Sequence, residues 1–337
     1  MGESVANLKR VIDRVLQPMI GRYSVGAMID FPNYSNVGDS AIYLGQLACL
    51  RSLGVSRLDF ISDFQTYDRR ALAKAVGDRA ILLTGGGSFG DLWHINQACR
   101  ENILRAFPGN PVIQLPQTMH FQGRPALDRA RAAVDKHRNL TLLWRDEHSL
   151  ETARREFNAA SELCPDMAFC LGSLERPLAA TQPIVWISRN DKEKSVVAPT
   201  DSPGVTDWPR EPYTPLRRLN DALTGATIRF PMQRFWRALL TRTFAPLATN
   251  RLRAGLRTLC IGEVVITDRL HGHILSVMLR IPHVILDNSY GKLSSFHKAW
   301  TCGVDGVQFA RSADEAIAMA SELAGAPAIH RAESRFA

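Results

Sequence analysis

The chain has 337 residues, 45% of them hydrophobic and 22% charged, with a formal net charge of +8. Its length exceeds the ~100–200 residues of one ordinary core and suits two packed globular domains. The start, "MGESVANLKRVIDRVLQ", lacks an apolar core with a small-residue cleavage site. No window reaches about eighteen apolar residues, so neither secretion nor a membrane span is indicated and a cytoplasmic setting is expected.

Short apolar runs alternate with helical patterns through the first half. "VGAMID" (25–30) precedes "SAIYLGQLACLRSLG", and "AILLTGGG" (80–87) precedes "INQACRENILRAF"; "PVIQLPQ" (111–117) is followed by "LTLLWRD" (140–146) and then "EHSLETARREF". Strands spaced by helices read as βαβ units, hence a parallel sheet covered on both faces. Pro, Gly and small residues in "GSLERPLAATQP" mark a break. The reading is an α/β protein of two Rossmann-like domains, residues 1–176 and 177–312, with a C-terminal helix and tail over 313–337.

The second half opens with "PIVWISRN" (183–190). It loses periodicity over 191–215, where five prolines read as a long loop, and runs on through an Arg-rich segment over 232–259. Periodicity returns in "EVVITD", "RLHGHILSVMLR", "IPHVILD" and "LSSFHKAW", while Ser312 with Glu315 three residues on starts a last helix as a capping box. Six cysteines (Cys49, Cys99, Cys164, Cys170, Cys260, Cys302) form no C-x-x-C pair and read as reduced thiols.

Open parallel sheets bind ligands at the carboxyl ends of strands, where loops lead into helix N-termini. Most of the unusual residues fall there. Asn36, Gly38 and Asp39 make a polar turn before a helix that Ser40 or Asp39 can cap. Gly85, Gly86 and Gly87, with Gly90, let backbone approach a ligand. Gln117, Thr118, His120 and Arg145 end further strands, and Asp268, Arg269, His271 and Lys292 come from the second half. Each has a plainer reading. "GGGSFG" matches neither standard phosphate-loop pattern. His271 borders a helical stripe of Leu270, Ile274, Val277, Met278 and Ile281, Arg145 can pair with Asp146 or Glu147 on the surface, and Asp39 can serve as a cap alone. Coincidence at strand ends in both halves favours a site, in a cleft between the domains.

"NVGDSAIYLG", "LLTGGGSFGDLW", "IQLPQTMHF", "WRDEHS", "CPDMAF" and "TDRLHGHILSVMLRIPHVILDNSYGK", in this order and spacing, resemble the polysaccharide pyruvyl transferases over roughly residues 25–300. The D-R-L-H-G element followed by Tyr-x-Lys, which brings in Tyr290, is the most specific part. The resemblance implies two Rossmann-like domains akin to GT-B glycosyltransferases and transfer of pyruvate from phosphoenolpyruvate to a sugar hydroxyl pair as a ketal. It implies no metal or other cofactor. The stretch 191–260 carries no part of the resemblance.

Phosphoenolpyruvate presents a carboxylate and a phosphate, which call for fixed cations; Arg145, Arg269 and Lys292 are the candidates. His271 is the candidate for proton transfer, with Asp39 or Asp268 accepting the hydroxyl proton or orienting the imidazole. The acceptor is expected to be a sugar or a lipid-linked oligosaccharide. Two other readings stand beside this one. A nucleotide-sugar glycosyltransferase would share the architecture. A basic membrane-surface protein would use the run from 229 to 259, where seven Arg interleave with Phe, Trp and Leu, as an interfacial helix on anionic lipid; the plainer alternative is an ordinary helix with a solvated Arg face. Net charge +8 favours anionic partners in general, but no nucleic-acid module accompanies it.

Overall fold

The computed structural model describes residues 5–190, 204–287 and 291–325. In chain order the elements are α1 (Val5–Arg22), β1 (Val25–Ile29), α2 (Val37–Ser52), β2 (Phe60–Ser62), α3 (Arg69–Val76), β3 (Ala80–Leu83), β4 (Gly86–Gly90), α4 (His94–Ala106), β5 (Val112–His120), α5 (Arg124–Val134), β6 (Leu140–Trp144), α6 (Glu147–Glu156) and β7 (Ala160–Leu163), closed by a 3-10 turn (Met167–Leu171). There follow β8 (Gln182–Ile187), β9 (Val205–Thr206), α7 (Pro215–Arg229), α8 (Arg234–Leu259), β10 (Gly262–Thr267), α9 (Leu270–Leu279), β11 (His283–Leu286), α10 (Lys292–Trp300), β12 (Val307–Ala310) and α11 (Ala313–Gly325).

Among the described residues all strand pairs are parallel, in two sheets. The first has the order β2-β1-β3-β5-β6-β7 with β4 added on β5, and the second the order β12-β11-β10-β8-β9. Runs such as "VGAMI" and "AILL" are buried at every position because helices cover both faces of such a sheet, which leaves no solvent side to demand alternation. The alternation of strands and helices thus gives the two Rossmann-like layers that the sequence pattern predicts.

The division of the chain is not one cut near residue 176. One compact unit is drawn from Ser4–Gly172 and Arg210–Ala254, the other chiefly from Ser173–Pro209 and Gly255–Ala337. Residues 210–254 join the first unit through specific contacts. Phe244 stacks on Phe31 with ring centroids 3.9 Å apart, and Arg251 holds Glu211 in a two-bond fork while donating to the Pro32 carbonyl. Arg237 lies over the Phe60 ring at 4.1 Å and donates to the Thr66 carbonyl.

Two local expectations change. The stretch 191–215 is not all loop: its described part contains β9, and Thr214 caps α7 by accepting from the Arg217 amide. "GGGSFG" is a strand rather than a turn, since β4 pairs with β5 over Gly86, Phe89 and Gly90. Gly90 sits at φ +143°, and a Cβ there would lie 1.7 Å from the His120 carbonyl oxygen. Only glycine lets these strands approach so closely.

Candidate functional site

In each sheet the strand order reverses beside the first strand, and the crevice at such a reversal is where doubly wound sheets take ligands. In the first unit the reversal lies between β1 and β3. A small recess there is lined by Asp30, Leu83, Thr84, Asn96, Cys99, Arg100 and Ile103. Asp30 follows β1 with φ +76°, a conformation that costs a non-glycine residue strain and concentrates at functional positions. Asn96 donates to both Asp30 carboxylate oxygens at 3.0 Å. Burial raises the Asp30 carboxyl above the usual range, while Asn96 and Arg100 pull the other way. Arg100 is itself buried, bonded to Gln114 and Gln97, and its own pKa is lowered to about 10 by that burial.

Around this edge the predicted residues divide. Asn36 is the cap of α2, its side chain accepting from the Asp39 amide at 3.1 Å, which displaces the expectation that Ser40 or Asp39 does so. Gly38 and Asp39 fall in the first turn of α2, and Asp39 accepts from the Tyr34 hydroxyl at 2.9 Å. Gly85 precedes β4, and Gly86 and Gly87 belong to it; a Cβ at Gly85 would stand 2.7 Å from the Pro116 carbonyl oxygen, while Gly86 takes φ +136° beside Asp39 and Ile42 of α2. β5 continues through Pro116 to His120, so Gln117 and Thr118 lie within it. Gln117 is fully buried; its amide nitrogen donates to the Thr84 carbonyl and its oxygen accepts from the Ser88 amide, stitching β5 to the β3–β4 connection. Arg145 is not on the surface with Asp146 or Glu147. It donates to Asp166 at 2.6 Å and to the Thr118 hydroxyl at 2.9 Å, with the Arg145 and Asp166 side chains 1% and 0% exposed.

In the second unit the reversal lies between β8 and β10. Here Asp268 and Arg269 follow β10, Arg269 at the N-cap position of α9, and His271 stands in the first turn of that helix. Lys292 opens α10, which follows the neighbouring strand β11. The Asp268 carboxylate accepts from the Arg189 amide at 2.8 Å through Oδ1, while Oδ2 is buried with no hydrogen-bond partner among the described residues. Burial raises this carboxyl despite the pull of Arg189 and Arg269. Arg269 forms a two-bond fork with Asp207 at 2.5 and 2.7 Å. Gly272 explains the glycine of D-R-L-H-G: a Cβ there would stand 2.3 Å from the Thr267 Oγ1, so glycine lets α9 start directly against β10. His271 is half-buried, as a residue on the border of the apolar stripe should be. Lys292 is buried to 7% exposure. Tyr290 lies outside the described residues.

Behind α9 runs a buried chain of imidazoles. His283 Nδ1 donates to the Ile281 carbonyl at 2.7 Å, so its Nε2 accepts from His273 Nδ1 at 2.7 Å. His273 Nε2 then accepts from the Thr301 hydroxyl at 2.8 Å, and that oxygen accepts from His297 Nδ1 at 2.9 Å. With every ring neutral all these bonds are satisfied, and burial lowers the pKa of all three histidines. His273 is thereby committed to the interior.

The sequence pattern of the family described as polysaccharide pyruvyl transferase matches residues 36–290. The chain belongs to that family. It is 31% identical to pyruvyl transferase 1 of Schizosaccharomyces pombe over 88% of this chain and 75% of that one, and 27% identical to EpsO of Bacillus subtilis over 93% and 96%. A crystal structure of a functionally uncharacterised Klebsiella pneumoniae protein superposes with a TM-score of 0.59 at 19% identity, covering 91% of this chain and 99% of that one, which bears on the fold alone.

Membership makes this protein a transferase, and the matched span contains every predicted site residue except Lys292, two positions beyond it. Asp30 and Arg189 were not among the predicted site residues. Both close strands that the sequence displays plainly, "VGAMID" and "PIVWISRN", so strand-end position was the signal that could have found them.

Proposed function

We propose that the protein transfers the pyruvyl group of phosphoenolpyruvate to two hydroxyls of one sugar in a cell-surface glycan or its precursor, forming a cyclic ketal and releasing phosphate. The observation that carries the proposal is the grouping at the C-terminal edge of the second sheet, in a chain of this family. A buried carboxylate, Asp268, lies beside Arg189 and Arg269, with His271 in the first turn of α9 and Lys292 opening α10.

The chemistry matches these groups. Arg269 and Lys292 offer positive charge to the donor's carboxylate and phosphate. His271 delivers a proton to the enol methylene, which becomes a methyl group, and C2 gains oxocarbenium character. A sugar hydroxyl adds to C2, the C2–O bond to phosphate breaks, and the second hydroxyl closes the ring. Of the two hydroxyl protons displaced, one replaces the proton given to the methyl carbon and the other leaves with phosphate. The raised carboxyl of Asp268, with a buried oxygen that has no hydrogen-bond partner among the described residues, suits proton acceptance or the orienting of His271.

Thermal unfolding in the presence of ligands tests the donor. A ligand bound only by the folded state raises stability by mass action. Phosphoenolpyruvate at millimolar concentration should raise Tm, whereas UDP- and GDP-sugars should not. The reverse pattern would replace this reading with that of a nucleotide-sugar glycosyltransferase.

A further inference from the structure

The Arg-rich segment has an unusual composition: from Ala222 to Gly262 there is no Asp or Glu, while arginines stand at 229, 234, 237, 242, 251, 253 and 257. Its structure separates these arginines into two sets. Arg237 and Arg251 are buried pins, bonded to Thr66 and to Glu211 and Pro32, and Leu240, Phe244, Leu247, Ala248 and Leu252 are core. α8 as a whole is therefore a packed helix and not one lying on a surface. Its beginning is different.

The turn between α7 and α8, "IRFPMQRF", exposes Ile228 (53%), Phe230 (41%), Met232 (47%) and Phe235 (63%) within eight residues. Arg229 and Arg234 between them are exposed, and Arg229 lies over the Phe230 ring at 5.6 Å. Exposed Arg242, seven residues beyond Phe235, and Arg253, eleven beyond Arg242, extend the same face of the helix by its 3.6-residue period. Four large apolar side chains at one tip are too many for an idle surface turn. Arginines without intervening acids choose among possible covers: a second copy of the chain would set this positive tip against its like, whereas an anionic bilayer takes the apolar residues into its acyl boundary and the guanidinium groups at its phosphates.

We infer that the α7–α8 turn docks the enzyme on anionic lipid bilayers, with Ile228, Phe230, Met232 and Phe235 inserted and Arg229, Arg234 and Arg242 at the headgroups. The docking is reversible and peripheral, for no helix among the described residues is long and apolar enough to cross a membrane. It is independent of the identity of the donor.

Co-sedimentation with vesicles tests this. The full chain should pellet with vesicles of equal parts phosphatidylglycerol and phosphatidylcholine, but not with phosphatidylcholine alone, and added salt should release it. The pair Phe230→Ser with Phe235→Ser, and separately the pair Arg234→Glu with Arg242→Glu, should each weaken partitioning by about tenfold or more while leaving thermal unfolding unchanged. Equal binding to both vesicle types, or an unchanged affinity in a folded variant, overturns the inference. So does light scattering that finds a wild-type dimer which the serine pair converts to monomer, because the tip would then be covered by a second copy.

Discussion

The Arg145 guanidinium donates to the Asp166 carboxylate across 2.6 Å with both side chains essentially sealed from solvent. A surface pairing with Asp146 or Glu147 would make loss of Arg145 almost harmless to folding, since exposed pairs contribute ~1 kcal/mol or less. The buried pair predicts otherwise. Arg145→Ala strands a buried carboxylate and Asp166→Asn removes the partner of a buried guanidinium, so each should destabilise by about 3–5 kcal/mol in denaturant unfolding. Losses below ~1 kcal/mol would return Arg145 to the surface reading.

His271 separates binding from turnover. His271→Ala should lower kcat by roughly 10²–10⁴ while phosphoenolpyruvate affinity, measured by calorimetry, changes far less. His271→Gln keeps a hydrogen-bonding side chain of similar reach but cannot cycle a proton, and should be as slow. A folded, active His271→Gln protein would move the proton donor elsewhere. His273 could not take its place, being committed to His283 and Thr301.

The imidazole chain predicts a pH dependence of stability. Burial holds the folded-state pKa of His283 near 4, against an ordinary 6.5, and holds His273 well below that ordinary value. The unfolded state therefore binds more protons below the ordinary value. The stability contributed by the neutral rings is fully present above 6.5 and is lost as pH falls toward about 4. In His273→Asn this loss should be smaller, so the Tm gap between wild type and variant should narrow on acidification. A gap that stays constant across that window would show that the rings do not titrate with folding.

Gly272→Ala should push α9 away from β10, because its new Cβ would meet the Thr267 side chain. The expected cost is about 1–3 kcal/mol of stability, typical of overpacking, and turnover should fall with it because α9 carries His271 in its first turn. Adding Thr267→Ala removes the Oγ1 and Cγ2 atoms in the way and should restore part of both. An unimpaired Gly272→Ala enzyme would contradict the close helix–strand contact.

The sequence made the layers legible because a parallel sheet writes itself as fully apolar runs between amphipathic helices; "VGAMI", "LTLLW" and "GEVVIT" are strands where expected. It misled where one residue type serves two ends. The glycines of "GGGSFG" read as letting backbone approach a ligand, yet the close partner of Gly90 is the backbone of β5. Gln117 read as a binding amide, yet both its polar atoms are used on neighbouring backbone. Such choices depend on contacts across about thirty positions of sequence, which no local pattern records. The discontinuous first unit was hidden for the same reason: Arg251 meets Pro32 across a separation of 219 residues. The place of the D-R-L-H-G element, after one strand and at one helix start, was readable because β10 and α9 are local patterns; the partners of Asp268 and Arg269 were not, since Arg189 and Asp207 lie 79 and 62 positions away.

Ketal formation from phosphoenolpyruvate is tested most directly by following both products of one incubation. The protein, phosphoenolpyruvate and a panel of candidate glycosides are incubated together, then followed by mass spectrometry of the glycoside and by assay of inorganic phosphate. The expected result is a glycoside whose mass has grown by one pyruvate less one water, with one phosphate released for each ketal formed and both signals abolished in His271→Ala. Glycoside extended by a hexose from a nucleotide sugar, with phosphoenolpyruvate left intact, would contradict the account.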